Sequence, residues 1–248
     1  MRIVAGEWRG RALVAPVGLG TRPTADRLRQ ALFDMLMHAE WGGRAVIEGA
    51  VVLDVFAGTG ALGLEALSRG AASACFIEND AAALRALRAN VAACKAGDRA
   101  IVLAMDAISV PGIGRFAEAM PMGEAPWHHY RHGSACPGQL SRPGAGGGGQ
   151  DKPTHDDKGN FRAAGVPAAL VFLDPPYGQN LVPRAIARLL EVGRIRPDAL
   201  VVAETGRGEN WLPEQPLLAE RQQGSARILI FRAGDPADDG ISQLGPAC

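Results

Sequence analysis

Residues 51–70 read VVLDVFAGTGALGLEALSRG, and the hydrophobic period changes within that stretch. Residues 51–55 form a short, Val-rich apolar run, too brief for a helix and suited to a strand buried on both faces. Gly58, Gly60 and Gly63 follow in the G-x-G-x-x-G spacing. Residues 61–68 then take up a helical pattern, and Gly70 stands where a helix stops. A strand, a glycine turn and a helix in immediate succession predict a sheet of parallel strands with helices on its faces.

The alternation continues along the chain. Residues 73–78 predict a second strand and 81–94 an Ala- and Arg-rich helix. Three more strands are predicted at 101–104, 169–174 and 199–203, with a helix over 181–192 between the last two. Residues 217–221 and 227–231 are joined by too short a link for a crossover, so they should pair antiparallel. The expected fold is α/β: a doubly wound, mainly parallel, seven-stranded sheet with an antiparallel C-terminal strand. Ahead of it, RIVAGEWRGRALVAP (residues 2–16) predicts a small hairpin. Residues 24–37 predict a helix with Thr24 as N-cap, Asp26 in its first turn, and an apolar stripe of Leu28, Leu32, Met35 and Leu36.

The 248 residues are 47% apolar and 21% charged, an ordinary globular composition with material for one large domain or two small ones. Zero net charge removes any global electrostatic case for nucleic acid. Residues 1–30, however, hold Arg2, Arg9, Arg11, Arg22, Arg27 and Arg29 against only Glu7 and Asp26. A local basic patch of this kind can bind phosphate in a neutral molecule. Cys75, Cys94, Cys136 and Cys248 are widely spaced and form no C-x-x-C pair, which argues against a disulfide framework or a zinc ribbon. No apolar run reaches membrane-spanning length and the first residues are polar, so a reduced, cytoplasmic, soluble protein is expected, with no membrane partner.

Residues 111–167 break the rhythm, with 12 glycines and 7 prolines in 57 positions and no sustained apolar period. They are expected to form a flexible insertion between the Asp106 loop and the Asp174 strand, both of which face the cleft. His128, His129, His132 and Cys136 within it match no standard metal spacing; a solvated linker explains them, and no metal is expected.

A glycine loop between strand and helix presents backbone amides and a helix N-terminus to a ligand. Glu78 ends the next strand, where a carboxylate reaches ribose hydroxyls. These features suit a nicotinamide or flavin dinucleotide and S-adenosylmethionine alike, and glycines also serve tight strand–helix packing with no ligand at all. A phosphate loop is excluded, because no Gly-Lys-Ser/Thr follows. Asp54, four residues before Gly58, favours a cationic ligand over a pyrophosphate, and Phe56 and Ala57 would wall the loop. Asp106 with the Ala107 amide can read the amine and ring nitrogen of adenine; an Asp at a strand end also simply caps the next turn. Asp54, Glu78, Asp106 and Asp174, at four strand ends, outline a cleft for a cationic, adenosine-bearing molecule.

LDPPYG, residues 173–178, ends the fourth strand, because two prolines lack the N–H groups that a ladder needs. The stiff loop offers Asp174 and Tyr177 at the carboxyl edge of the sheet, where open α/β sheets bind ligands. Asp174 and the Pro175 carbonyl can accept hydrogens from an exocyclic amine, and Tyr177 can stack on a base turned out of its helix. The competing reading of Asp174 is a turn-forming Asp before proline.

With VLDVFAGTGALGLEALSRGA, FIEND, AMDA and LDPPYG in this order, the chain resembles the class I S-adenosylmethionine-dependent methyltransferases that modify exocyclic amines of nucleobases. Together with RIVAGEWRGRAL and TRPTADRLRQALFDML, it is similar to the bacterial 16S ribosomal RNA guanine-N2 methyltransferase family, over most of residues 1–110 and 166–205. The resemblance implies a Rossmann-like methyltransferase sheet, S-adenosylmethionine as methyl donor, and guanine N2 of small-subunit ribosomal RNA, in a partly assembled particle, as acceptor. It implies cofactor contacts from Asp54, Phe56, Ala57, Gly58, Thr59, Gly60, Glu78, Asn79, Asp106, Ala107 and Asp174. Catalysis falls to Asp174, Pro175, Pro176 and Tyr177. RNA would be held by Arg2, Arg9, Arg11, Arg22, Arg27 and Arg29, with Trp8 as a stacking surface; the competing reading is a solvated basic hairpin with a core tryptophan.

On this view residues 1–40 are an RNA-binding hairpin and helix, 41–235 a methyltransferase domain with its insertion, and 236–248 a tail, in a monomeric enzyme. The insertion is longer than the family pattern needs. Three rivals stay open: a DNA adenine-N6 or cytosine-N4 methyltransferase using the same loop, a dinucleotide oxidoreductase, and a catalytically silent RNA-binding module. The oxidoreductase leaves LDPPYG unexplained, and the silent module has no use for four strand-end carboxylates.

Overall fold

The computed structural model describes residues 1–16, 23–112 and 166–234. Among these residues seven strands form one sheet: β1 Val51–Val55, β2 Ser73–Glu78, β3 Ala100–Ala104, β4 Ala168–Leu173, β5 Ile195–Gly206, β6 Leu217–Gln223 and β7 Ala226–Arg232. Their order is β3-β2-β1-β4-β5-β7-β6. β1 to β5 pair in parallel, and β7 runs antiparallel to both β5 and β6. The helices are α1 Pro23–His38, α2 Ala61–Ser68, α3 Ala81–Ala93 and α4 Leu181–Glu191. This is the expected doubly wound sheet.

The strands read as continuous apolar runs because both faces are covered. On one face Phe76, Phe172, Val202 and Ile230 pack with α1, α2 and the N-terminal segment. On the other, Leu53, Ile77, Val171, Val201 and Leu229 pack with Val182, Ala185, Ile186 and Leu189 of α4. Two boundaries differ from expectation. α1 starts at Pro23, so Thr24 falls inside its first turn rather than capping it; a proline, with φ preset and no N–H to satisfy, suits that first position. β5 is far longer than 199–203. Ala168 pairs with Ile195 but Leu170 with Leu200, so the extra residues, Pro197 among them, are taken up in a bulge.

The N-terminal hairpin closes through an antiparallel bridge between Arg2 and Ala12. Its Ile3, Trp8 and Leu13 enter the same apolar cluster as Phe33, Leu64 and Phe172, so the segment shares the core of the sheet. Polar bonds fasten it to α2. The Val4 and Ala5 amides donate to the two carboxylate oxygens of Glu65, at 2.7 and 3.0 Å. The Trp8 amide donates to Ser68 Oγ at 2.9 Å, while that hydroxyl donates to the Ala5 carbonyl at 2.6 Å. Glu65 is fully buried and also pairs with Arg69 at 2.9 Å and Arg29 at 3.5 Å. The Arg69 guanidinium in turn lies 4.8 Å from the ring centroid of Phe33.

Residues 113–165 lie outside the described residues, and with them His128, His129, His132, His155 and Cys136. The chain on either side of them is fastened to the turn before β5. Arg188 Nε on α4 donates to the Val110 carbonyl at 3.1 Å, and Arg194 Nε to the Pro111 carbonyl at 3.2 Å. The Ala168 amide donates to the Arg194 carbonyl at 2.8 Å. Departure and return therefore meet at the turn from α4 to β5, at the amino ends of β4 and β5. Although the Asp106 loop and Asp174 themselves sit at the carboxyl edge, the roots of the insertion are at the opposite one.

Replacing Glu65 by Ala leaves two guanidiniums and two amides without their buried acceptor. The unfolding free energy should fall by about 3–5 kcal/mol in a urea titration. A loss within the range of an exposed ion pair, about 1 kcal/mol or less, would mean that the N-terminal segment is not fastened there.

Candidate active site

The loop after β1 is held from below by carboxylates. Asp54, 2% exposed, accepts the Gly63 amide at 2.8 Å. Glu78 accepts the Gly58 amide with one oxygen and the Asn79 and Asp80 amides with the other, each at 2.8 Å. Phe56 turns the chain with φ 60°, a conformation that strains a residue with a side chain, and Gly58 continues with φ 55°. At Gly63 the reason for glycine is proximity. An added Cβ would lie 2.4 Å from Phe76 Cε1 and 3.1 Å from Asp54 Oδ2. Asn90 ties the loop to its surroundings, donating to the Thr59 carbonyl at 2.9 Å while its own oxygen accepts the Val14 amide at 2.7 Å. Asp80 caps α3 through the Ala82 and Ala83 amides.

Past β4, Pro175 is buried while Asp174, Pro176 and Tyr177 are exposed. The Tyr177 hydroxyl donates to Glu204, and the Gly178 amide to Glu209. Glu209 also accepts the Gly206 amide at 3.1 Å. Gly206 leaves room for the tyrosine, since a Cβ there would sit 3.2 Å from Tyr177 Cβ and Cγ. The end of β5 thus holds the DPPYG loop in place.

A cavity of about 210 Å³ opens between these loops and α1. Asp54, Phe56, Ala57, Gly58 and Thr59 line it from the glycine loop, Asp174 from β4 and Glu204 from β5, with Met1, Leu28, Arg29 and Leu32 opposite. Of the other expected cofactor residues, Gly60, Glu78, Asn79, Asp106 and Ala107 do not line it; they follow β1, β2 and β3 along the same edge. Asp106 accepts the Ile108 amide at 3.0 Å and so caps a short turn of helix. Pro175, Pro176 and Tyr177 do not line the cavity either, although Tyr177 reaches Glu204, which does.

The cleft is electrically unbalanced. Burial, and to a smaller extent the nearby Asp174 and Glu78 carboxylates, raise Asp54 to about 8 against the pull of its Gly63 hydrogen bond. Asp174 opens to the cleft, yet desolvation by the protein around it and the neighbouring Glu204 raise it to about 7. The Tyr177 phenol is raised as well, first by desolvation and then by its bond to Glu204. A cation placed here would relieve the repulsion, and a pyrophosphate would add to it.

Two residues expected to meet RNA are turned inward. Trp8 is 7% exposed and its ring is covered by the Arg99 guanidinium, 4.9 Å from the centroid, so it offers no free face to a base. Arg29 is 5% exposed and is engaged by Asp26 at 2.8 Å, by Glu65 and by the Arg2 carbonyl, so it is a structural cation rather than a phosphate contact. Arg2, Arg9, Arg11 and Arg27 are exposed, Arg11 donating to the Ala93 carbonyl. Arg22 lies outside the described residues. Among the described residues no group of three or more His, Cys, Asp or Glu side chains is placed to hold a metal, and no helix is long and apolar enough to cross a membrane.

The profile of the family described as "Conserved hypothetical protein 95" matches residues 1–111 and 150–232. The chain belongs to this family. The match takes in the N-terminal segment as well as the sheet and skips most of the insertion. "Ribosomal RNA small subunit methyltransferase D" of Escherichia coli is 33% identical over 217 residues, 87% of this chain and 79% of that protein. Its namesake in Haemophilus influenzae is 31% identical over 239 residues, 94% and 93% of the two chains. The solved structure of yhhF from Escherichia coli, 30% identical, aligns with a TM-score of 0.62 over 94% of this chain and 98% of that one.

Glu204, Gly206 and Glu209 do not stand out in the sequence reading, although AETGRGE (residues 203–209) carries a visible signal, two acids and two glycines directly after an apolar strand. Asn90 and Glu65, lone polar residues on apolar helix faces, are equally legible.

Asp54 keeps its proton up to about 8 in the folded chain, against an ordinary value of 3.8. The native state therefore binds more protons than the unfolded one across that window, and stability falls as pH rises from about 4 to about 8. Asp54→Asn retains an oxygen for the Gly63 amide but does not titrate. Its urea midpoint should change less between pH 5 and pH 8 than that of the wild type; an identical slope would mean that Asp54 is ionised throughout.

Proposed function

We propose that the protein transfers a methyl group from S-adenosylmethionine to the exocyclic N2 amine of a guanine in small-subunit ribosomal RNA. The observation that carries this reading is the meeting, in one cavity, of Asp174 with the glycine-loop residues Ala57, Gly58 and Thr59. The names of the relatives supply the RNA class. The donor set fits the cofactor: Asp54 and Asp174 have no cation paired with them among the described residues, so a ligand carrying sulfonium and ammonium charge favours their ionised form, while dinucleotides bring the wrong sign. The loop from Ala57 to Gly60, with Glu78, Asn79, Asp106 and Ala107 along the same edge, would hold its ribose and adenine.

Bound there, S-adenosylmethionine supplies an electrophilic methyl group on a sulfonium. The chain's own work is on the acceptor. An exocyclic amine is a poor nucleophile because its lone pair is delocalised into the ring. Asp174, with the Pro175 carbonyl as second acceptor, draws the amine hydrogens aside and turns the lone pair toward the donor. The Tyr177 ring, 42% exposed and braced by Glu204 and Gly206, forms the stacking surface for a base flipped out of its helix. Two consecutive prolines keep acceptor and ring in register, so little ordering is left for the reaction itself. The proton shed by the amine passes to Asp174 or to solvent.

Labelled S-adenosylmethionine and small-subunit ribosomal RNA, free or partly assembled, test the reading when the methyl group is located by mass spectrometry. Label on guanine N2 is expected; label on adenine N6 or cytosine N4 would overturn the choice of base. Asp174→Ala should lower kcat by roughly a hundredfold or more, with a far smaller change in cofactor affinity by calorimetry. Unaltered turnover would remove Asp174 from the mechanism.

RNA approach falls to the exposed guanidiniums of Arg2, Arg9 and Arg27. Reversing Arg9 and Arg27 to Glu should weaken RNA binding and flatten its salt dependence by about 0.7–0.9 in log–log slope for each phosphate no longer neutralised. Cofactor affinity should not change. Equal loss of both affinities would make these residues structural.

A further inference from the structure

Two side chains that can only accept hydrogen bonds when ionised stand side by side where the base would enter. The parallel register pairs Leu173 of β4 with Ala203 of β5, so the next residues, Asp174 and Glu204, are neighbours at the carboxyl ends of adjacent strands, roughly 4.8 Å apart across the sheet. Leu173 and Ala203 belong to the apolar cluster on the α4 face. Side chains alternate along a strand, which directs Asp174 and Glu204 to the other face, towards α1 and the cavity that both of them line. Among the described residues Glu204 makes no ion pair. Its Oε1 accepts from the Tyr177 hydroxyl, which orients the carboxylate and leaves Oε2 without a bond to the described residues.

Ionised carboxylates present lone pairs and no hydrogens. The three amine-bearing bases differ next to the amine. Adenine places its N1 lone pair beside the N6 amine, and cytosine its N3 lone pair beside the N4 amine. Guanine alone places a donor, N1–H, beside the N2 amine. A pair of adjacent acceptors therefore matches guanine at both positions, whereas with adenine or cytosine the second carboxylate would face a lone pair and stay desolvated without a partner.

We propose that Glu204 is a specificity-determining residue of this site, accepting guanine N1–H while its neighbour Asp174 accepts from the N2 amine. This rests on the reading of the site as a guanine-N2 methyltransferase and supplies that reading with a base-reading residue within the chain.

The test uses the full chain and a ribosomal RNA fragment, free or assembled into the particle the wild type methylates, with either guanine or 2-aminopurine at the target. 2-Aminopurine keeps the 2-amino group but carries a lone pair at N1. The wild type should favour guanine by a hundredfold or more in kcat/KM. Glu204→Gln, whose amide can donate to N1, should shrink that preference at least tenfold, mainly by raising the rate on 2-aminopurine. Glu204→Ala should shrink it by lowering the rate on guanine. Tyr177→Phe, which removes the hydroxyl that orients Glu204, should shrink the preference in the same direction as Glu204→Ala but by less. Equal wild-type rates on the two bases, or an equal fall on both in the Glu204 variants, would overturn the proposal and leave the methyltransferase reading standing, with Glu204 merely bracing Tyr177. A wild type that methylates neither base would overturn the reading and the proposal together.

Discussion

Like charge gathered at one edge of a sheet is an unstable arrangement, and the site is built around containing it. Asp54 and Glu78 accept hydrogen bonds from the amides of the glycine loop and its surroundings, so the loop's shape and the charge of the cleft have one origin. These bonds satisfy the carboxyl oxygens but set no cation against them, so desolvation favours the protonated form of Asp54. Arg29, which lines the cavity, and Arg69 behind it on the buried Glu65 are engaged with that residue and with Asp26 and Asp34. Ionisation at this edge is costly without a cation, which suits a ligand that brings positive charge of its own.

The same carboxylate in α2 that occupies those arginines also receives the Val4 and Ala5 amides, so the N-terminal hairpin is a wall of the cavity rather than an appendage. Met1 lines the cavity and its sulfur lies 3.4 Å from Thr59 Oγ1. Asn90 joins Val14 to the Thr59 carbonyl. A rigid seating of this kind fixes the distance between the exposed arginines and the chemistry, which a mobile arm would not.

Elements whose period and punctuation agree are legible in the sequence. β1, α2 and β2 begin and end where the apolar runs, glycines and acidic strand ends place them, because a strand buried on both faces admits few alternatives. The length of β5 is hidden, since Pro197 and the charged residues around it read as a break, and only pairing with β4 and β7 reveals the bulge. In the site, Asp54, Gly58 and Asp174 can be found because strand-end chemistry is local. Trp8 and Arg29 mislead for the opposite reason: arginines and tryptophans look alike in sequence whether they face solvent or fill a core, and the partners that decide, Arg99 and Glu65, lie far along the chain. Glu204 escapes notice because its meaning comes from the strand beside it.

The placing of the insertion's roots carries an evolutionary consequence. Because Pro111 and Ala168 both fasten to Arg194 at the far edge of the sheet, whatever is spliced between them starts and finishes on ground that takes no part in catalysis. A change in its length is therefore met first at Arg194, away from Asp54, Asp174 and the glycine loop. The link is also a natural graft point, where a foreign module could be seated on the enzyme while its chemistry continued unaltered.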